Sequence, residues 1–204
     1  MVRWAVTGAG GMLAPAAVAP RRAAGDPARA RDRAARDGTD GDAVALALAG
    51  ADVVVSCAAY TAVDAAEADE ATAFAVNAVG AQHVARAAVR HGARLVHVST
   101  DYVFDGGPAA VGVPYAEDAP LAPRSAYGRT KAAGEWAVRT EHPDALVVRT
   151  AWLYGAHGAC FPRTIARVAR ARGALELVGD PGGPATGAGA TGSRCRRSRC
   201  VPAG

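Results

Sequence analysis

A chain of 204 residues, 50% hydrophobic and 21% charged, carries enough apolar material for one well-buried core and too few residues for two generous domains. No apolar run reaches the roughly 20 residues of a membrane-crossing helix, and the composition is far from that of a disordered chain, so both classes are excluded. The net charge of +4 is matched by Arg194, Arg196, Arg197 and Arg199 near the C-terminus; the remaining arginines are scattered among few aromatics, which argues against a nucleic-acid partner.

Val2-Arg-Trp-Ala-Val6 reads as a first strand entering a tight glycine turn with Gly8, Gly10 and Gly11. That turn also interrupts the apolar N-terminus, so a secretory leader is not expected and the location is read as cytoplasmic. From Pro15 to Gly41 a helix and a second strand are due, but Pro15, Pro20 and Pro27 break the pattern and no β-branched run follows; one element is expected to be missing or damaged. Asp52 to Ala59 is a continuous apolar strand, Glu67 to Arg90 an alanine-rich helix stopped by Gly92, and Arg94 to Ser99 a further strand. A Pro/Gly-rich loop from about 106 to 123 precedes a helix from Ser125 to Glu141, a strand from Ala145 to Thr150 and a helix from Phe161 to Arg172. Strands alternating with helices call for a parallel sheet covered on both sides. Leu175 to Asp180 reads as a further strand, and residues 181–204 as a disordered tail without core-forming side chains.

Three clusters carry chemistry. The glycine turn, directly after a strand, suits the close approach of a pyrophosphate to a helix N-terminus, with Ala14 standing where a third glycine would pack; it equally suits a plain strand–helix turn. Ser99-Thr100-Asp101 and Tyr60-Thr61 follow predicted strands, at the sheet end where ligands of such folds bind, although a Ser-Thr-Asp turn also simply caps a strand. Tyr127 and Lys131, the only lysine of the chain, lie four apart on one helix face. An ammonium beside the phenol is expected to favour its ionised form and make a proton donor usable near neutral pH, while the bland alternative is an exposed lysine near a buried tyrosine. The four cysteines have no ligand companions, so reduced thiols and no metal are expected.

Taken in order, Val6-Thr-Gly-Ala-Gly-Gly-Met-Leu13, Cys57-Ala-Ala-Tyr-Thr-Ala-Val-Asp-Ala-Ala-Glu67, His97-Val-Ser-Thr-Asp-Tyr-Val-Phe-Asp-Gly106, Tyr127-Gly-Arg-Thr-Lys-Ala-Ala-Gly-Glu135 and Arg149-Thr-Ala-Trp-Leu-Tyr-Gly155 resemble the dTDP-4-dehydrorhamnose reductase family of the extended short-chain dehydrogenase/reductase superfamily. The resemblance implies an α/β, Rossmann-like, doubly wound parallel sheet over residues 1–180, with the C-terminal substrate lobe largely missing. It implies reduction of a dTDP-4-keto-6-deoxy-L-sugar by NADPH or NADH; a nucleotide-sugar epimerase or dehydratase, or a non-catalytic dinucleotide-binding relative, are the alternatives. Carried over by motif, Tyr127 would be the proton donor, Lys131 would tune it and hold the nicotinamide ribose, and Thr100 would hydrogen-bond the reacting oxygen. Gly8, Gly10, Gly11, Met12, Leu13, Asp37, Ala59, Tyr60 and Thr61 would line the cofactor, and Asp101 and Trp152 the nucleotide sugar. A homodimer is compatible with the resemblance.

Residues 15–36 and 181–204 depart from the family pattern and share the Ala/Arg/Gly/Pro bias of a GC-rich coding sequence read out of frame. Two frame excursions would account for both, with genuine divergence as the alternative.

Overall fold

The computed structural model of the chain describes residues 1–31, 38–107, 113–172 and 186–191. Five strands, β1 (Trp4–Thr7), β2 (Ala28–Arg31), β3 (Val53–Ser56), β4 (Arg94–Thr100) and β5 (Leu146–Thr150), pair in parallel in the order β2-β1-β3-β4-β5. All four side chains of β3 are buried, as a strand covered on both faces requires. The helices are α1 (Leu13–Ala23), α2 (Gly41–Leu48), α3 (Val63–Ala68), α4 (Glu70–Phe74), α5 (Gly80–Arg90), α6 (Ala126–Glu141) and α7 (Phe161–Arg172), with a π-helical turn at Ala75–Val79 between α4 and α5. A small parallel pair, β6 (Leu153–Tyr154) and β7 (Thr186–Gly187), stands apart from the main sheet.

Alternation along the strands sends side chains into two layers. Ala5, Val54 and Leu95 pack with Val44 and Leu48 of α2, Val84 and Ala88 of α5 and Val138 of α6. Trp4, Val6, Val55 and Val96 meet Ala14, Ala17 and Val18 of α1 on the other face. Helices on both faces of a parallel sheet make the fold doubly wound. Local chemistry sets the helix starts. Asp40 Oδ1 accepts from the N–H groups of Asp42 and Ala43, each at 3.1 Å, to cap α2. Ser125 Oγ accepts from Gly128 N at 3.0 Å to cap α6.

The expectation of a missing element after Pro15 is corrected: α1 and β2 both form. Pro15 occupies the first turn of α1, where its absent N–H has no intrahelical partner to lose, and its fixed φ already suits a helix. Pro20 costs one internal bond, which the burial of Ala14, Ala17 and Val18 offsets. As an edge strand, β2 needs backbone pairing on one side only, so Ala-Arg-Ala-Arg suffices without a β-branched run. Pro27 contributes its carbonyl, which accepts from Trp4 N at 2.8 Å. Arg21, only 2% exposed, lies 3.9 Å over the Trp4 ring.

Other differences are smaller. The long helix expected from Glu67 to Arg90 is broken at Asp69, whose carboxylate accepts from Thr72 N at 3.1 Å and starts α4. Residues 175–180 lie outside the described residues, as does most of the tail. Within 186–191, however, Thr186 and Gly187 pair with β6 while Ala188 and Thr191 are buried, so these six residues are not the coreless segment expected of them.

Candidate functional site

The order β2-β1-β3 places a topological switch between β1 and β3, and a crevice opens beyond their C-terminal ends. Thr7 closes its floor: Oγ1 accepts from Cys57 N at 3.1 Å and Ala58 N at 3.2 Å, tying the end of β1 to the end of β3. Gly8 has φ +74°, and a Cβ there would stand 2.9 Å from Ala58 N, so only glycine fits. Gly11 N donates to Gly8 O at 2.9 Å to close the turn, leaving Gly10 and Gly11 exposed above the start of α1. Leu13 is buried below, and Met12 is half-buried under the segment after β6, where a Cβ on Gly158 would lie 2.9 Å from Met12 N. The residues present therefore form a tight glycine turn at a helix N-terminus, packed on Ala58 and covered at Met12 by the Gly158 segment, with Gly10 and Gly11 exposed.

On the β3 side, Ala59, Tyr60 and Thr61 form the next wall. Asn77, 1% exposed in the π turn, holds it: Tyr60 N donates to Oδ1 at 2.8 Å, and Nδ2 donates to Tyr60 O at 3.1 Å and Thr130 Oγ1 at 3.0 Å. A π turn points side chains off the ordinary helical register, and here it aims an amide at the site.

Thr100 and Asp101 sit where β4 ends. Thr100 Oγ1 donates to Asp101 Oδ1 at 3.0 Å and accepts from Tyr102 N at 3.3 Å. That hydroxyl also lies close enough to the Tyr127 phenol to pull its pKa down. Tyr127 and Lys131 project from adjacent turns of α6, and the Tyr127 ring meets Tyr102 edge-on at 5.5 Å. Gly128 and Gly134 let α6 come this close: a Cβ on either would fall 2.3 Å from a carbonyl oxygen, that of Tyr102 or Asn77 respectively.

The electrostatics correct the expected division of labour. Burial pushes the Tyr127 phenol up to about 12; the Thr100 hydrogen bond pulls it down, and Asp101 and Tyr102 push it further up. The phenol is therefore a held proton rather than a phenolate. Lys131, 2% exposed, is turned toward the sheet, where Nζ donates to Val98 O at 2.8 Å. Burial brings its ammonium down to about 8, against the opposing pull of Glu135 and Cys57. Beneath it, His97 is buried with neither ring nitrogen hydrogen-bonded among the described residues; burial first, then the Lys131 charge, holds it well below its ordinary pKa and hence neutral.

Trp152 follows β5 with φ +48°, strained for a bulky side chain, and packs edge-on against Phe161 at 5.5 Å. Asp37 lies outside the described residues. Of the predicted set, the structure brings together the glycine turn, the 59–61 wall, Thr100, Asp101, Tyr127 and Lys131. Sequence reading missed Thr7, Asn77 and Glu135. An Asn inside an alanine-rich helix was the available signal for Asn77.

A parallel sheet in this order, with a glycine turn at the switch point and Thr, Tyr and Lys converging at the strand ends, defines a Rossmann-like α/β protein of the short-chain dehydrogenase/reductase type. The family model described as RmlD substrate binding domain matches residues 2–196, and the chain belongs to that family. A dTDP-4-dehydrorhamnose reductase of Mycobacterium tuberculosis is 46% identical over 186 residues, covering 90% of this chain and 61% of the relative. A probable dTDP-4,6-dihydroxy-2-methyloxan-3-one 4-ketoreductase of Streptomyces antibioticus is 48% identical over 193 residues, 92% of this chain and 64% of the relative. A crystal structure of a dTDP-4-dehydrorhamnose reductase from Bacillus anthracis in complex with NADP superposes with a TM-score of 0.90 at 33% identity, covering 97% of this chain and 70% of the other. The chain thus spans about three-fifths of the length of the curated relatives it matches.

Proposed function

We propose that this chain is the dinucleotide-binding part, residues 1–180, of a cytoplasmic reductase that converts the C4 keto group of dTDP-4-dehydro-L-rhamnose to the alcohol with NADPH or NADH. The observation that carries the reading is the convergence of Thr100, Tyr127 and Lys131 beside the glycine turn, in a chain of this family. The turn suits a dinucleotide by its place and its backbone: Gly8 lets the end of β1 close against Ala58, and the exposed Gly10 and Gly11 lead into α1, whose N-terminus would face the pyrophosphate. Gly8, Gly10, Gly11, Met12 and Leu13 would hold the pyrophosphate side, Ala59, Tyr60 and Thr61 the middle, and Asp37 the adenosine side. The nicotinamide, when bound, supplies a hydride to the carbonyl carbon.

What the chain itself must supply is a proton and a fixed carbonyl. Negative charge develops on the keto oxygen as the carbon is attacked, so a donor placed there lowers the barrier. Tyr127 Oη transfers its proton to that oxygen, and the high pKa of the phenol keeps the proton in place until the alkoxide forms. Thr100 Oγ1 holds the same oxygen, exchanging its bond to Asp101 for one to the substrate. Lys131, fixed on the Val98 carbonyl, would hold the nicotinamide ribose. Asp101 and Trp152 would line the sugar. The test is turnover of the keto sugar followed by loss of nicotinamide absorbance: Tyr127→Phe should lower kcat by at least about 100-fold with cofactor affinity largely kept. A large loss of cofactor affinity instead would contradict the proton-donor role.

A further inference from the structure

Glu135 is 0% exposed, one helical turn beyond Lys131 on α6. A carboxylate taken wholly from water needs partners on both oxygens, and it has them: Arg149 Nη2 donates to Oε2 at 2.8 Å and Nε to Oε1 at 3.0 Å. Arg149 is itself fixed from two further sides, donating from Nη1 to Glu117 O at 2.9 Å and lying 4.9 Å from the Phe104 ring, which stacks at 4.2 Å on Tyr115. The carboxylate is therefore fixed on the helix face it shares with the lysine, one turn away. Such a buried ion pair is a costly way to fill a core position if packing were its only purpose.

We infer that Glu135, clamped by Arg149, is a positioning residue of the site: its carboxylate holds Lys131 as an ammonium against the β4 backbone. The titratable and charged groups coupled to Lys131 are Glu135 from α6, Cys57 at the end of β3 and His97 from β4, with Arg149 of β5 behind Glu135; Tyr127 lies one turn back on α6. The Tyr127 phenol and the His97 imidazole are neutral at pH 7, so Glu135 is the buried acid there that opposes desolvation of the ammonium. Remove its charge and buried Lys131 is left near the half-buried Arg149 guanidinium with no acid between them. Arg149 cannot release a proton, so Lys131 must.

Lys131 being the only lysine, a full-length chain labelled with 13C-lysine gives one side-chain Cε signal, whose titration reads this group alone. Glu135→Gln should lower the Lys131 midpoint by about one pH unit or more, a tenfold or greater loss of proton affinity. General loosening of the core has the opposite sign: it hydrates the amine and raises the midpoint toward its ordinary value of 10.5. An unchanged or raised midpoint in Glu135→Gln would overturn the assignment. Should that variant not fold, Glu135→Met decides, because it removes the charge without leaving a buried amide to satisfy: a fall of the same size is expected, and an unchanged or raised midpoint would overturn the assignment. The catalytic meaning rests on the proposed role of Lys131, but the midpoint needs neither turnover nor cofactor. It fails separately from the reductase reading, which falls if NADPH does not bind.

Discussion

The two long helices in the second half of the chain sit very differently. Eight residues of α6 are buried, including the polar Thr130, Lys131 and Glu135, and the helix touches α3, α4, α5, the π turn and β4. In α7, by contrast, Phe161, Arg163, Arg167 and Arg170 are exposed, and Ile165, Val168 and Ala169 are half-buried. Strand β5 shares the asymmetry: Leu146 is exposed and the rest of the strand half-buried, whereas β3 is buried throughout. The side of the molecule that carries Tyr127 and Lys131 is thus completed by residues of this chain, while the described residues leave the α7 side thinly covered. A site can be preorganised only where its supporting side chains are locked by packing, and that condition is met on the α6 side.

This contrast sets an order of effects. The largest should come from Gly134→Ala, since its Cβ would lie 2.3 Å from the Asn77 carbonyl oxygen and backbone would have to move. A loss of about 3 kcal/mol in urea unfolding is expected. Asn77→Ala should follow at about 2 kcal/mol, because the part-buried N–H and C=O of Tyr60 lose their partner; near-neutrality would show that the 59–61 wall is held by other means. Ala substitution of half-buried Val168 in α7 should cost less than about 1 kcal/mol, and a loss as large as that in α6 would break the comparison. A pH trend about as large as the Gly134 effect stands beside these substitutions. The folded chain releases the Lys131 proton near pH 8, whereas the unfolded chain holds it until about 10.5, so between those values the unfolded state binds more protons and this group makes stability rise with pH. Abolishing that increment in Lys131→Met, measured by denaturant unfolding at both ends of the window, checks it.

Most of the site was readable because it rests on residues with few substitutes. Gly8 is required by a positive φ and a 2.9 Å approach, and Tyr127 and Lys131 by helical spacing. The chemistry of their environment was not readable. An i,i+4 Tyr–Lys pair suggests an ammonium lowering a phenol, yet burial acts on both groups and dominates here, which depends on tertiary contacts far away in sequence. Asn77 and Arg149 act across 53 and 14 residues, on Thr130 and Glu135, and no local pattern announces such partners. The misreading of 15–31 has a different cause. Proline breaks a helix interior, whereas the first turn of a helix tolerates it, and an edge strand asks little of its side chains.

The central claim, that these motifs form a working dinucleotide site within this chain, is tested most directly by titrating the purified protein with NADPH while following reduced-nicotinamide fluorescence, with NADH in parallel. Saturable binding that Gly8→Val weakens at least about tenfold is the predicted result, because the added Cβ would meet Ala58 N at 2.9 Å. A chain shown by circular dichroism to be folded that binds neither nucleotide would contradict it.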